Sequence, residues 1–186
     1  AYEDTINEGT VLRGGGLVLK LYYDKVPANL VVEIVDNNIG VKASGLDSNV
    51  TVNELTGADV SKVVLSLKVN KLQGDALNTE AINKAKQSLD DDGITAYDFY
   101  DISLFKTVYK ADGSSEELKV ENTDITGEIT IQIPLDENTK SLDNLAIVLV
   151  NDNGELQIIK ADKVTIDGKD YLQFKTNHFS AYAIAQ

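Results

Sequence analysis

His178 and Ser180 are the pair of residues in this chain best suited to do chemistry together. They stand two positions apart in "TNHFSAYAIAQ", and His178 is the only histidine among 186 residues. A serine becomes a nucleophile when a neighbouring base takes its proton. Such chemistry also needs a donor for the oxyanion. The same letters also read as plain structure. On one alternating strand, Phe174, His178, Ser180, Tyr182 and Ile184 share a face, and Phe179, Ala181 and Ala183 share the other. His178 and Ser180 then bond to each other or to a nearby loop. A triad needs an orienting third group as well, and none is legible here.

The elements that would position this pair are strands. "GLVLKLYYDK" alternates, with Leu17, Leu19, Leu21 and Tyr23 on one face. "NLVVEIVDNNIGVKASG" reads as two short strands around a DNN-G turn. "SNVTVNEL" alternates through Val50 and Val52. "DVSKVVLSLKVNKL" is a long strand with Val63, Leu65, Leu67 and Val69 on one face. A strand through Tyr100, Ile102 and Leu104 precedes a turn at "ADGSS", and "EITIQIPL" alternates through Ile129, Ile131 and Ile133. Strands follow at 145–150, 156–160, 163–166 and 171–176, set off by the turn signals "NDNG" and "DGKD".

One helix stands out, in "DALNTEAINKAKQSLDDDG". Asn78 or Thr79 caps it, and Ala81, Ile82, Ala85 and Leu89 form its apolar stripe. The three aspartates before Gly93 oppose the helix dipole, which places them in the loop beyond it. The spacing predicts a mainly β fold: an immunoglobulin-like or related β-sandwich with one short helix. A boundary near residues 25–29 divides an N-terminal hairpin or appendage, residues 1–27, from a sandwich domain, residues 28–186.

Bulk composition excludes several functions. A net charge of −13 repels nucleic acid and anionic membranes. The absence of cysteine excludes disulfides and thiolate metal sites. No apolar run reaches the length of a membrane span, so no membrane insertion is expected. The acidic turns at 36–38, 90–93 and 151–154 lack the ligand spacing of a calcium loop and read as ordinary turns. No cofactor or metal is expected. The start at "AYEDTINEG" reads as a cut inside a longer protein.

Two stretches carry a resemblance. "GTVLRGGGLVLKLYYDK" resembles the closing hairpin of the small repeats of mucin-binding and internalin-B type in Gram-positive wall-anchored surface proteins. Gly14 stands where those repeats carry an aspartate. Residues 95–186, with "YDISLFK", "GEITIQIPL", "LAIVLVNDNGELQIIKA" and the ending F-x-T-x-H-F-S-x-Y-A, resemble β-sandwich modules of the same proteins. Those modules are similar to the sandwich domain shared by ankyrins and netrin receptors. The resemblance implies an extracellular, cell-wall-attached protein in which this chain is a structural or spacer module beside neighbouring domains.

Two further candidates follow from it, and a third from the tyrosines of the sequence. Some sandwich domains of this shape, and a nucleoporin domain of another fold, are similar in carrying "HFS" and cleave themselves before the serine; the resemblance implies His178 as base and Ser180 as nucleophile on the Phe179 carbonyl, an N-to-O acyl shift to an ester that water hydrolyses, which needs a strained peptide and an oxyanion donor. Surface domains of this class contain Lys–Asn isopeptide bonds, and Lys20 with Asn177 is the conceivable pair. An adhesion role toward a glycan or a host protein would use exposed aromatics, with Tyr97 and Tyr100 in "YDFYD" as candidates.

Overall fold

The structure, a computed structural model, describes residues 27–186. The expected appendage at residues 1–27 lies, Pro27 apart, outside the described residues, as does Lys20. Strand takes 47% of the described residues and helix 17%, so the fold is mainly β. Among the described residues eleven strands form two facing sheets. The larger runs β1 (Leu30–Val35), β3 (Val60–Lys71), β4 (Ala96–Lys110), β11 (Ala181–Ala185), β7 (Ala146–Val150) and β8 (Leu156–Ile159), with β5 (Ser115–Lys119) also paired to β4. The smaller runs β2 (Lys42–Ser44), β6 (Ile129–Pro134), β10 (Lys169–Thr176) and β9 (Ala161–Ile166).

Period-two alternation builds the core between the sheets. Val63, Leu65, Leu67 and Val69 of β3 meet Ile129, Ile131 and Ile133 of β6, and all seven are fully buried. Each such side chain contributes about 1.5–3 kcal/mol relative to exposure. β1 pairs with β3 in parallel, the one parallel pair described. The strands either side of the DNN-G turn therefore do not form a hairpin. β1 joins one sheet and β2 the other, with Asn37, Asn38 and Gly40 at positive φ between them.

The helix α2 (Glu80–Asp91) covers part of the outer face of the larger sheet. Thr79 caps it, its side chain accepting the Ile82 N–H at 3.4 Å. Ile82, Ala85 and Leu89 pack on Phe99, Val148, Ala183 and Ala185. Asp90 and Asp91 belong to the last turn rather than to the loop. Gly93, at φ 71, sets the end: its N–H bonds to Asp90 O and the Ile94 N–H to Leu89 O. Those two bonds satisfy the last carbonyls and outweigh the dipole's preference against acids.

In "SNVTVNEL", Val52 opens a one-turn helix, α1 (Val52–Leu55), and not a strand. Thr51 accepts from the Glu54 N–H while Glu54 Oε2 accepts from the Thr51 N–H at 2.6 Å, a reciprocal cap that overrides the local alternation.

Candidate functional site at the sheet-to-sheet corner

"TNHFSAYAIAQ" is not one strand. β10 ends at Thr176 in the smaller sheet and β11 begins at Ala181 in the larger. Residues 177–180 carry the chain from one sheet to the other. The alternation expected across this stretch therefore breaks. Phe179 turns inward and is buried with Phe174, Tyr182 and Ile184, while Ala183 and Ala185 face α2.

A closed ring of hydrogen bonds fixes the corner. The His178 N–H donates to Thr176 Oγ1 at 3.0 Å. Thr176 Oγ1 lies 2.9 Å from both His178 O and Tyr182 Oη. Tyr182 Oη donates to His178 O. Both hydroxyls thus reach the His178 carbonyl, and the contact between them closes the ring. Tyr182 is fully buried, and burial pushes its phenol up to about 12, the Thr176 contact partly offsetting it.

Asn122 holds the next residue. Its Oδ1 accepts the Phe179 N–H at 2.6 Å and its Nδ2 donates to Phe179 O at 3.0 Å. The same Nδ2 stands 3.1 Å from His178 Nε2. An amide nitrogen has no lone pair to offer, so in this contact the Asn122 Nδ2 is the donor and His178 Nε2 the acceptor. The His178 ring thus faces Asn122. Ser180 Oγ donates to Val150 O at 2.8 Å, on β7, and the Ser180 carbonyl accepts the Ile102 N–H at 3.0 Å. His178 and Ser180 share no hydrogen bond. Of the parts self-cleavage requires, the geometry supplies a donor on the Phe179 carbonyl and directs the base and the nucleophile to other partners.

Beside the corner lies a cleft of about 290 Å³, lined among others by Asp101, Lys119, Asn122, Asn151, His178 and Ser180. Asp101 is half-buried; desolvation raises its carboxyl and the nearby Lys119 lowers it by less. Asn122, Asp101 and the Tyr182 hydroxyl were not foreseen from sequence. Only Tyr182 left a signal, as the tyrosine of the F-x-T-x-H-F-S-x-Y-A ending.

Of the remaining candidates, Tyr97, Tyr100 and Asn177 lie among the described residues. Tyr100 is only 3% exposed, with its ring in the core, and offers no face to a sugar. Tyr97 is half-buried, is the bulged residue between the Asp98–Ile184 and Ala96–Ala185 pairs, and points its hydroxyl at Gln186. Asn177 is exposed at the bend after β10. The acidic turns serve their own backbones. Asp36 accepts the N–H groups of Asn38, Gly40 and Val41, and Asn151 those of Asn153 and Glu155. Among the described residues no group of three or more His, Asp or Glu is arranged to hold a metal ion. Nor is any described helix long and apolar enough to cross a membrane.

Comparison of the chain with protein-family models, with curated proteins and with solved structures finds no match.

Proposed function

We propose that this chain is a non-enzymatic structural module, a spacer or presentation domain of an extracellular, cell-wall-attached surface protein whose partners are its neighbouring domains. The observation that carries the reading is the corner. The motif with the most reactive composition spends its polar groups on joining the two sheets: Thr176 and Tyr182 on the His178 backbone, Ser180 on Val150. A motif used in this way ties the last strand, bonded on both sides between β4 and β7, to the opposite sheet. Such a tie suits a module that holds its neighbours apart.

The test is a reporter displayed on a Gram-positive cell with increasing copies of the module between it and a wall anchor. Accessibility to a large antibody should rise with copy number. Accessibility that stays flat while the copies are folded contradicts a spacer role.

Self-cleavage between Phe179 and Ser180 is the second reading, favoured by one observation, the Asn122 Nδ2 donor on the Phe179 carbonyl. A glycan- or protein-binding role is the third. It would use the cleft beside Asp101 and not Tyr100.

A further inference from the structure

β4 is flanked on one side by two shorter strands in succession. β11 pairs with it over Ala96–Asp101 and β5 over Phe105–Tyr109. The last bonds before the two strands part run from the Ile102 N–H to Ser180 O at 3.0 Å and from the Val120 N–H to Leu104 O at 2.8 Å. A groove opens where they part. Its two arms, of about 290 and 380 Å³, share Asp101, Asn151, Asp152 and Ser180. Together they reach the size of a small-ligand site. The arms differ in chemistry. The first, beside His178, is polar, with Lys119, Glu121 and Asp152 around it. The second lies against the start of α2 and is walled by Leu72, Ala81, Ile82, Val150 and Ala181. The loop that borders both is fixed in place. Lys84 Nζ donates to Asn153 O at 2.8 Å, and Asn151 Oδ1 accepts the N–H groups of Asn153 and Glu155.

Asp101 stands where the arms meet, on the face of β4 that carries Phe99 toward α2. Other polar groups of the groove are already used. Ser180 Oγ donates to Val150 O, Asn122 holds Phe179, and Asn151 Nδ2 donates to Glu155. Asp101 differs. Among the described residues no side chain donates a hydrogen bond to its carboxylate; Lys119 acts on it only through space, and offsets less than desolvation costs it. A half-buried carboxylate in that state gains most from a donor that is itself charged. The polar arm adds to this, since its three carboxylates face one lysine. We propose that the groove binds a primary ammonium group on an aliphatic chain, with the nitrogen at Asp101 and the carbons along the apolar arm. A free alkylamine and a lysine side chain of another protein share that chemistry. The site does not depend on the spacer reading, because a module that holds its neighbours apart can also carry a ligand in this groove.

Titration of the full chain with n-pentylammonium and with methylammonium, followed by NMR at physiological ionic strength, tests this. The expected result is saturable shifts confined to the groove, at Asp101, Asn151, Asp152 and Ala181. Each CH2 group buried in the apolar arm should tighten binding about fourfold. With two or more of its extra carbons buried, n-pentylammonium should bind at least about tenfold more tightly than methylammonium. Asp101→Asn, which keeps the size of the side chain and removes its charge, should weaken that binding at least about tenfold. Nα-acetyl-lysine N-methylamide separates the two sources. Binding as tight as that of n-pentylammonium assigns the groove to a lysine side chain, and weaker binding assigns it to a free amine. The absence of saturable shifts overturns the proposal. So does equal affinity for the two alkylamines, or binding that persists in Asp101→Asn. Either would report only the general attraction of cations to a chain of net charge −13.

Discussion

Asn122 grips Phe179 by both sides of its backbone, accepting the N–H at 2.6 Å and donating to the carbonyl at 3.0 Å. One side chain thus stands in for a neighbouring strand at the point where the chain leaves one sheet and has not yet joined the other. Replacing it leaves two backbone groups of a largely buried residue without partners. We expect Asn122→Ala to cost about 2–3 kcal/mol in urea unfolding. Asn122→Asp, which keeps the acceptor and loses the donor, should cost less than Asn122→Ala if the Phe179 N–H bond dominates.

The hydrogen-bond ring makes a separate prediction. Tyr182→Phe removes the hydroxyl that links Thr176 to the His178 carbonyl while leaving the ring packed on Phe174 at 5.3 Å. The expected loss is about 1–2 kcal/mol. A double variant with Thr176→Val should lose less than the sum of the singles, because both remove members of one network. Additive losses would mean that the two hydroxyls act independently.

Two carboxylates should show opposite pH dependence. Asp101 is held above the ordinary carboxylate range by desolvation, with Lys119 opposing. Its folded form binds the proton more tightly than the unfolded chain does, so this contribution favours folding in acid and fades as pH rises through the folded value. Asp101→Asn should therefore stabilise the protein at neutral pH, and the gain should close as pH falls. Glu54 is also pushed up by burial, but Lys106 at 2.6 Å and the Thr51 groups bring it below its usual range. Its contribution is present at neutral pH and is lost as pH falls through the folded value. Glu54→Gln should destabilise at neutral pH, and the difference should vanish in acid. Denaturant midpoints measured across pH check both signs.

Two turn glycines separate backbone strain from steric contact. Gly154 and Gly168 sit at φ 73 and 77. A methyl group at Gly154 would lie 2.9 Å from the Ala81 carbonyl oxygen on α2, while one at Gly168 meets nothing within 4 Å. Gly168→Ala should cost about 1 kcal/mol, the left-handed penalty alone. Gly154→Ala should cost clearly more, because the turn must also move off the helix. Equal losses in thermal or urea unfolding would show that α2 yields freely.

Most of the strands were legible because one face of each is buried and the other is not. β3 and β6 display this in Val63 to Val69 and Ile129 to Ile133. The corner was not legible. The letters from Phe174 to Ile184 keep a period-two look, and no glycine or proline marks the break after Thr176. What breaks the strand is tertiary: Thr176 and Tyr182 close on the His178 backbone, and Asn122 reaches the Phe179 backbone from 57 residues away in sequence. A lone asparagine in a loop carries no local signal of such a partner. α1 was legible in principle, since Thr51 and Glu54 have the spacing of a reciprocal cap, but the alternating valines beside them gave the stronger pattern.

We propose that His178 and Ser180 belong to a structural joint and not to an active site. Intact mass under denaturing conditions, after prolonged incubation of the wild type and of Ser180→Ala, tests it most directly. The expected result is one species at full sequence mass for both proteins. Two wild-type fragments split between Phe179 and Ser180, absent from Ser180→Ala, would contradict it.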